Sequence, residues 1–287
     1  MSLRIIEWPD FLKDSDSEST NRQSEKSAMT VGVFDGLHLG HRVLIDKIVR
    51  KGPNPTVVTF RENPKKVMAR LKGKTDAYEG DIFSLKQKIA AFDGLGVKQV
   101  ILIDFSENFS KLRGREFLDL LENRGKMGFL TIGRNFRCGY QQDTDADLIR
   151  EINELRGIPT EIVQQVELPV EFGSGPVSSS RIRSAITEGN IALAKALMGR
   201  NIELDISDIT PEFSKGIKPQ SVHGVPDSVV YDLSSVQRIV PASGRYAVRI
   251  YPGSVSSWVD TDNDGKVFLP GMPALEKAES IEFLPIN

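Results

Sequence analysis

The sequence predicts an α/β protein, a parallel sheet with crossover helices, followed by a smaller and mostly β part. Over the first ~190 residues, short apolar runs alternate with segments of helical periodicity, as strand–helix–strand crossovers require. Beyond Arg200 the texture changes: Pro and Gly become frequent, and β-type runs appear at 229–231, 246–251, 266–269 and 280–284. The third observation is residues 31–41, Val-Gly-Val-Phe-Asp-Gly-Leu-His-Leu-Gly-His, which place a glycine turn between an apolar run and a helical pattern.

Taken in order, residues 3–8 read as a short first strand. Residues 14–28 mix Asp, Ser, Glu, Asn and Lys with almost nothing to bury, and read as a flexible loop. The run from Met29 to Phe34 is of the kind that fills a buried parallel strand, and Leu44, Ile45, Ile48 and Val49 recur at helical spacing after it. Further strands are predicted at 56–60, 100–104, 129–133 and 161–166, with helices between them at 85–95, 115–124 and 145–156. Ligands of such sheets sit beyond the carboxyl ends of the strands, so the loops beginning at Phe34, Phe60 and Gly133 should converge. Two helices end this part. One opens after Ser178-Ser179-Ser180 and stops at Gly189; Asn190 caps the other, which stops at Gly199. The organisation predicts a first domain over 1–186, a linker helix over 187–200 and a small domain over 201–287, somewhat small to stand alone.

Bulk properties narrow the function classes. The 287 residues include 37 basic and 39 acidic side chains, a net charge of −2. That balance argues against an extended nucleic-acid surface while leaving room for a local basic pocket. Cys138 is the single cysteine, which excludes an internal disulfide framework and fits a reducing compartment. No apolar run approaches the ~18 residues of a membrane helix, and the first ten residues hold too short an apolar stretch for a secretory signal. The expectation is a soluble cytoplasmic protein with small-molecule substrates, bound to neither membrane nor nucleic acid.

Chemistry concentrates in four places. His38 and His41 stand within one helical turn of each other at a predicted helix mouth, where orphan N–H groups and the helix dipole favour a phosphate. Gly32, Gly36 and Gly40 would let an anion approach the main chain closely. Together these make Gly32, Val33, Phe34, Asp35 and Gly36, with the two histidines, a nucleotide-site candidate. Second, Val177-Ser-Ser-Ser-Arg-Ile-Arg183 offers Ser178, Ser179 and Ser180 at a helix start, with Arg181 and Arg183 as fixed charge. That suits phosphate oxygens, and it equally suits an ordinary serine-capped surface helix. Third, Gly133, Asn135, Phe136 and Arg137 leave a predicted strand, where Phe136 either flanks a ring or is buried. Fourth, Thr59-Phe-Arg-Glu-Asn63-Pro64 is a polar strand exit. No cysteine or third ligand lies near the histidines, which argues against zinc. Cys138 reads as a packing thiol rather than a nucleophile, and His223 as an exposed loop residue.

Taken together, the four motifs, in their order along the chain, resemble the FAD synthetase module of bacterial bifunctional riboflavin kinase/FAD synthetases, within the His-x-Gly-His nucleotidyltransferase superfamily. The resemblance spans roughly 29–200, and the run from Glu188 to Arg200 looks like the family's linker helix. It implies a Rossmann-like nucleotidyltransferase domain that transfers AMP from ATP to FMN, giving FAD and pyrophosphate with Mg2+. By this resemblance His38 and His41 would hold the ATP phosphates and stabilise developing charge. Ser178, Ser179 and Arg183 would grip the β- and γ-phosphates, with Ser180 also at the nucleotide site and Arg183 also counted as catalytic; the same triphosphate would thus meet both segments. Gly133 would line the nucleotide site. Asn63 and Asn135 would sit near the FMN phosphate, Asn63 as a catalytic residue and a weak Mg2+ contact, the ion being held chiefly by phosphates. Phe136 and Arg137 would shape the flavin pocket.

The chain also departs from the family pattern. Asn63 stands where many relatives carry His, Ser180 where they usually carry Thr, and Cys138 where Phe is frequent. The kinase half's Gly-Phe-Pro-Thr-Ala-Asn signature is not found; residues 241–250 alone are similar to a strand of that barrel. The β segment therefore looks like a degenerate, shortened kinase barrel, implying no riboflavin kinase activity. Two other readings stay open: a transferase of the same superfamily with another acceptor, and a non-catalytic flavin or adenylate sensor.

Overall fold

Six parallel strands organise the first part of the chain, as its alternating pattern requires. The computed structural model describes residues 2–13, 26–74, 78–169, 171, 174–215, 227–271 and 277–285. In chain order come β1 (Arg4–Glu7), α1 (Trp8–Lys13), β2 (Ser27–Val31), α2 (Leu39–Lys51), β3 (Asn54–Phe60), α3 (Pro64–Leu71) and α4 (Leu85–Gly94). They are followed by β4 (Gln99–Ile103), α5 (Glu107–Ser110), α6 (Gly114–Asn123), β5 (Met127–Gly133), β6 (Arg137–Cys138), β7 (Thr144–Asp145), α7 (Ala146–Leu155) and β8 (Thr160–Val163). The sheet order is β1-β4-β3-β2-β5-β8, with every pairing parallel.

All five residues of β2 are buried, as are the middle five of β3 and the last four of β4. Strands covered on both faces read as nearly continuous apolar runs, which is why the sequence marked them. One face carries the main core: Trp8 and Phe11 of α1, Phe117, Leu118 and Leu121 of α6, and Ile149 and Ile152 of α7. These meet Met29, Val31, Val58, Ile101, Leu130 and Ile132 of the strands. α2 packs across β2, β3 and β5 and buries Leu44, Ile45 and Ile48. From β2 the chain winds outward to β3 and β4 on one side, and later to β5 and β8 on the other. The winding reverses between β2 and β5, and the crevice at such a reversal is where open α/β sheets bind ligands.

Several local expectations are corrected. β2 ends at Val31 rather than Phe34, because Phe34 adopts a left-handed backbone (φ 54°) that no strand continues through. Ser27 and Ala28 belong to β2 instead of a loop, and residues 14–25 lie outside the described residues. Trp8 opens a helix, and β8 closes at Val163. Helix α3 was not anticipated: Asn63 caps it, and Pro64 occupies its first turn, where a missing N–H costs nothing.

The chain separates into two compact units, Met1–Thr75 with Lys88–Val166, and Asp76–Gln87 with Glu167–Asn287. The second unit contains β9 (Glu167–Leu168), β10 (Gly175–Pro176), α8 (Ser179–Thr187), α9 (Ile191–Met198) and β11 (Ile202–Asp205). After them come β12 (Glu212–Lys215), β13 (Asp227–Asp232), β14 (Gly244–Tyr251), β15 (Val255–Thr261), β16 (Lys266–Pro270) and β17 (Ser280–Phe283). The last seven strands form one antiparallel sheet, β11-β17-β14-β15-β16-β13-β12. Tyr231, Val267, Leu269, Ile281 and Phe283 are buried in its core. The expected caps are present: the Asn190 side chain accepts from Leu193 N at 3.0 Å, and Gly199 ends α9 at φ 69°. An α/β part followed by a β-rich part is therefore the observed fold class.

One glycine near the carboxyl end of the parallel sheet has no room for a side chain. Gly139 lies at φ 84°, and a Cβ there would stand 2.0 Å from Asp143 Oδ1 and 2.3 Å from Gly114 N. Asp143 Oδ1 accepts from Gly114 N and Thr144 Oγ1, so it cannot withdraw cheaply. Gly139→Ala should cost about 2–4 kcal/mol, read as a lower urea midpoint; an unchanged midpoint would contradict the clash.

Candidate active site

The histidine segment forms a strained turn between β2 and α2. Phe34, Gly36 and Leu37 all have positive φ (54°, 74° and 41°), carrying the chain from the central strand into the helix within a few residues. Such angles cost about 1–3 kcal/mol at each non-glycine residue, and they concentrate at functional sites. Phe34 is fully buried, edge-on to Phe92 at 5.7 Å and to His41 at 5.1 Å between ring centres. His38 is the N-cap of α2, its Nδ1 accepting from His41 N at 3.3 Å. The imidazoles stack with centres 3.6 Å apart and planes 16° apart.

This packing explains the glycines differently from the sequence reading. Gly36 is needed for its backbone angle. A Cβ on Gly40 would lie 3.3 Å from Cε1 and Nδ1 of His38, and one on Gly32 would lie 3.1 Å from the Phe34 ring. Two of the three glycines thus make room for rings of the turn itself, not directly for an anion.

Both imidazoles are held neutral at pH 7. Burial lowers the His38 pKa from 6.5 to about 4. His41 is pushed well below its ordinary value, first by burial, then by the neighbouring His38 and by the Lys88 cation. With His38 Nδ1 accepting a backbone hydrogen, its proton resides on Nε2, which makes that atom a donor. His41 Nδ1 is buried without a hydrogen-bond partner. A neutral donor ring at a helix N-terminus suits phosphate oxygens, because the helix dipole supplies the positive field.

Two further segments leave the neighbouring strands at the same end of the sheet. After β3, Asn63 is buried and its Oδ1 accepts from Lys65 N at 3.1 Å, so it serves as the N-cap of α3. After β5, Asn135 and Arg137 are exposed and Phe136 packs half-buried against the main core. Phe136 N donates to Gly133 O at 2.9 Å, which closes the turn. Arg137 lies 3.9 Å from Asp145. Cys138 also packs against the core, and burial raises its thiol to about 12, so it remains protonated. The first unit thus gathers Gly32–Gly36, His38, His41, Asn63, Gly133 and Asn135–Arg137 at the carboxyl ends of three adjacent strands.

The serine–arginine segment belongs to the second unit. Ser178 caps α8, its Oγ accepting from Arg181 N at 3.2 Å, while Ser180 is exposed. Arg183 is buried: its Nε donates to Gly80 O at 2.8 Å, and its guanidinium lies 5.9 Å from the centre of the Tyr78 ring. The capping role that the sequence left open is real, and the arginine is a built-in cation rather than a solvated one. His223 lies outside the described residues.

Lys88 escaped the sequence reading. It is buried on α4, and its Nζ donates to Phe60 O at 2.8 Å and to Val33 O at 3.3 Å. The available signal was a lysine four residues before Phe92, on the apolar face of a predicted helix.

The His38 shift has a thermodynamic consequence. A histidine with a depressed folded-state pKa contributes stability that is present above its unfolded value near 6.5 and lost as pH falls through about 4. The loss should reach about 3 kcal/mol. Urea unfolding of the wild type should therefore weaken across that window relative to His38→Asn; parallel pH profiles would contradict the burial argument.

Comparison with known proteins identifies the family. The profile of the FAD synthetase family matches residues 20–181. A bifunctional riboflavin kinase/FMN adenylyltransferase of Bacillus subtilis is 30% identical over 237 residues, covering 79% of this chain and 68% of that protein. The enzymes of the same name from Escherichia coli K12 and from Buchnera aphidicola of Acyrthosiphon pisum are 26% and 27% identical. The former match covers 79% of this chain and 68% of the relative; the latter covers 62% and 55%, so the chain spans little more than half the length of the Buchnera protein. A crystal structure described as a macrolide-efflux protein from Streptococcus pneumoniae shares the fold, with a TM-score of 0.71 and 20% identity, over 98% of this chain and 89% of that one. Among the described residues no helix is long and apolar enough to cross a membrane. With the profile spanning more than half its length, the chain belongs to the FAD synthetase family.

Proposed function

We propose that this chain is an FMN adenylyltransferase: it transfers AMP from ATP to the phosphate of FMN, forming FAD and pyrophosphate. The observation that carries the reading is the stacked, neutral histidine pair at the N-terminus of α2, placed where the sheet reverses, in a chain of the FAD synthetase family. A phosphate oxygen of FMN attacks the α-phosphorus of ATP in line, the bond to the β-phosphate oxygen breaks, and pyrophosphate leaves. No covalent enzyme intermediate is needed, so catalysis is positioning and charge stabilisation.

In this reading His38 Nε2–H binds triphosphate oxygens, the turn from Gly32 to Gly36 borders them, and His41 acts on charge that develops as pyrophosphate departs. Ser178, Ser179 and Arg183 are assigned the β- and γ-phosphates, Arg183 with its direction set by Gly80 O, and Ser180 the nucleotide more broadly. Gly133 lines the nucleotide site, Asn135 borders the FMN phosphate, and Phe136 and Arg137 border the flavin. For Asn63 the support is weaker in kind, because its side-chain oxygen already caps α3. Among the described residues no three His, Cys, Asp or Glu side chains gather as a metal site. In the proposed reaction Mg2+ is carried chiefly by the triphosphate. The antiparallel sheet is proposed to be a shortened riboflavin kinase barrel without kinase activity, on the missing Gly-Phe-Pro-Thr-Ala-Asn signature.

The test is incubation of the purified protein with ATP, Mg2+ and FMN, following FAD and pyrophosphate, with riboflavin as the second substrate. FAD should form from FMN, and riboflavin should remain unphosphorylated; flavin binding without pyrophosphate release would overturn the reading in favour of a sensor. His41→Ala should lower kcat at least about a hundredfold while KM for FMN changes by less than about fivefold, as a transition-state role requires. Asn135→Ala should raise KM for FMN and leave ATP binding intact; unchanged FMN kinetics would remove that residue from the site.

A further inference from the structure

Lys88 places a buried cation at the carboxyl end of the parallel sheet. Burying a lysine sacrifices the hydration of its ammonium, and such residues persist where the charge is used or paired. Its Nζ reaches two carbonyls that belong to different loops of the first unit. Val33 O lies in the histidine turn, one residue before the left-handed Phe34, and Phe60 O ends β3 just ahead of the Asn63 cap. Thr59 Oγ1 donates to the same Val33 oxygen at 3.2 Å. Two donors thus converge on the carbonyl at the root of the strained turn.

Resting on the adenylyltransferase reading above, we propose that Lys88 is a positioning residue for the transfer. Its ammonium clamps the histidine turn to the end of β3 and supplies a fixed positive charge where the triphosphate is bound. The clamp holds Phe34, Gly36 and Leu37 at their positive φ, angles that a free loop would relax. The same charge acts on His41, where the groups that shift its titration are His38 from the helix start and Lys88 from α4.

The experiment compares Lys88→Met with Lys88→Arg, and with Thr59→Val as the uncharged partner on Val33 O. For Lys88→Met, kcat of FAD formation should fall about a hundredfold with KM for ATP and FMN within about threefold. Lys88→Arg should recover most of that loss, and Thr59→Val should cost no more than about threefold. By carbon-13 NMR the His41 titration should move upward in Lys88→Met and stay in place in Lys88→Arg. If Lys88→Met does not fold, Lys88→Gln takes its place in every readout. A loss of stability with kcat and the His41 titration unchanged would make Lys88 a folding residue and overturn the proposal. If the wild type forms no FAD, the functional reading fails instead. The clamp is then decided by the His41 titration alone, an upward move supporting it and no move overturning it.

Discussion

The stack of two imidazoles across the first turn of α2 is the contact on which the site depends. It requires a residue without a side chain at position 40, a buried aromatic at position 34 to close the edge of His41, and a chain reversal that only left-handed backbone angles supply. Each requirement constrains the next. Phe34 can be left-handed because Phe92 and the core hold its ring, and His38 can cap the helix because its ring lies over Gly40. The fold supplies the place: β2 is buried along its whole length between β3 and β5, so the turn that follows it is anchored on a rigid central strand.

The electrostatic design keeps the rings uncharged and puts the positive charge elsewhere. Burying a charged imidazole pair would be costly, and two cations 3.6 Å apart would repel. Burial resolves that conflict by leaving both rings neutral, while the helix dipole and Lys88 provide the field. Donors fixed before the substrate arrives need no reorganisation as charge develops, which is the larger part of catalysis without a covalent intermediate. In the second unit the buried Arg183 is likewise fixed in direction, its Nε donating to Gly80 O.

Much of this was legible in the residues, and the failures have physical causes. Apolar runs located β3, β4 and β5 because strands buried on both faces leave a local signal. Caps at Ser178 and Asn190 were legible because the side chain and the amide it accepts from are three residues apart. Phe34 was read into the strand because its hydrophobicity says nothing about φ. Helix α3 was missed because its cap, Asn63, reads equally well as a ligand, and its apolar content is thin, with Val67 as its buried residue. For Lys88 the helical spacing signals burial beside Phe92 but not its partners, which are main-chain carbonyls 28 and 55 residues away. Contacts to backbone leave no side-chain pattern to find.

The site requires the histidine pair to be neutral when it meets phosphate. Nitrogen-15 NMR of the imidazoles at pH 7, with and without a non-hydrolysable ATP analogue, measures this directly. Two neutral rings are expected in both states, with the His38 proton on Nε2 and that nitrogen shifting when the analogue binds. A doubly protonated His38 or His41, or a His38 proton on Nδ1, would contradict it.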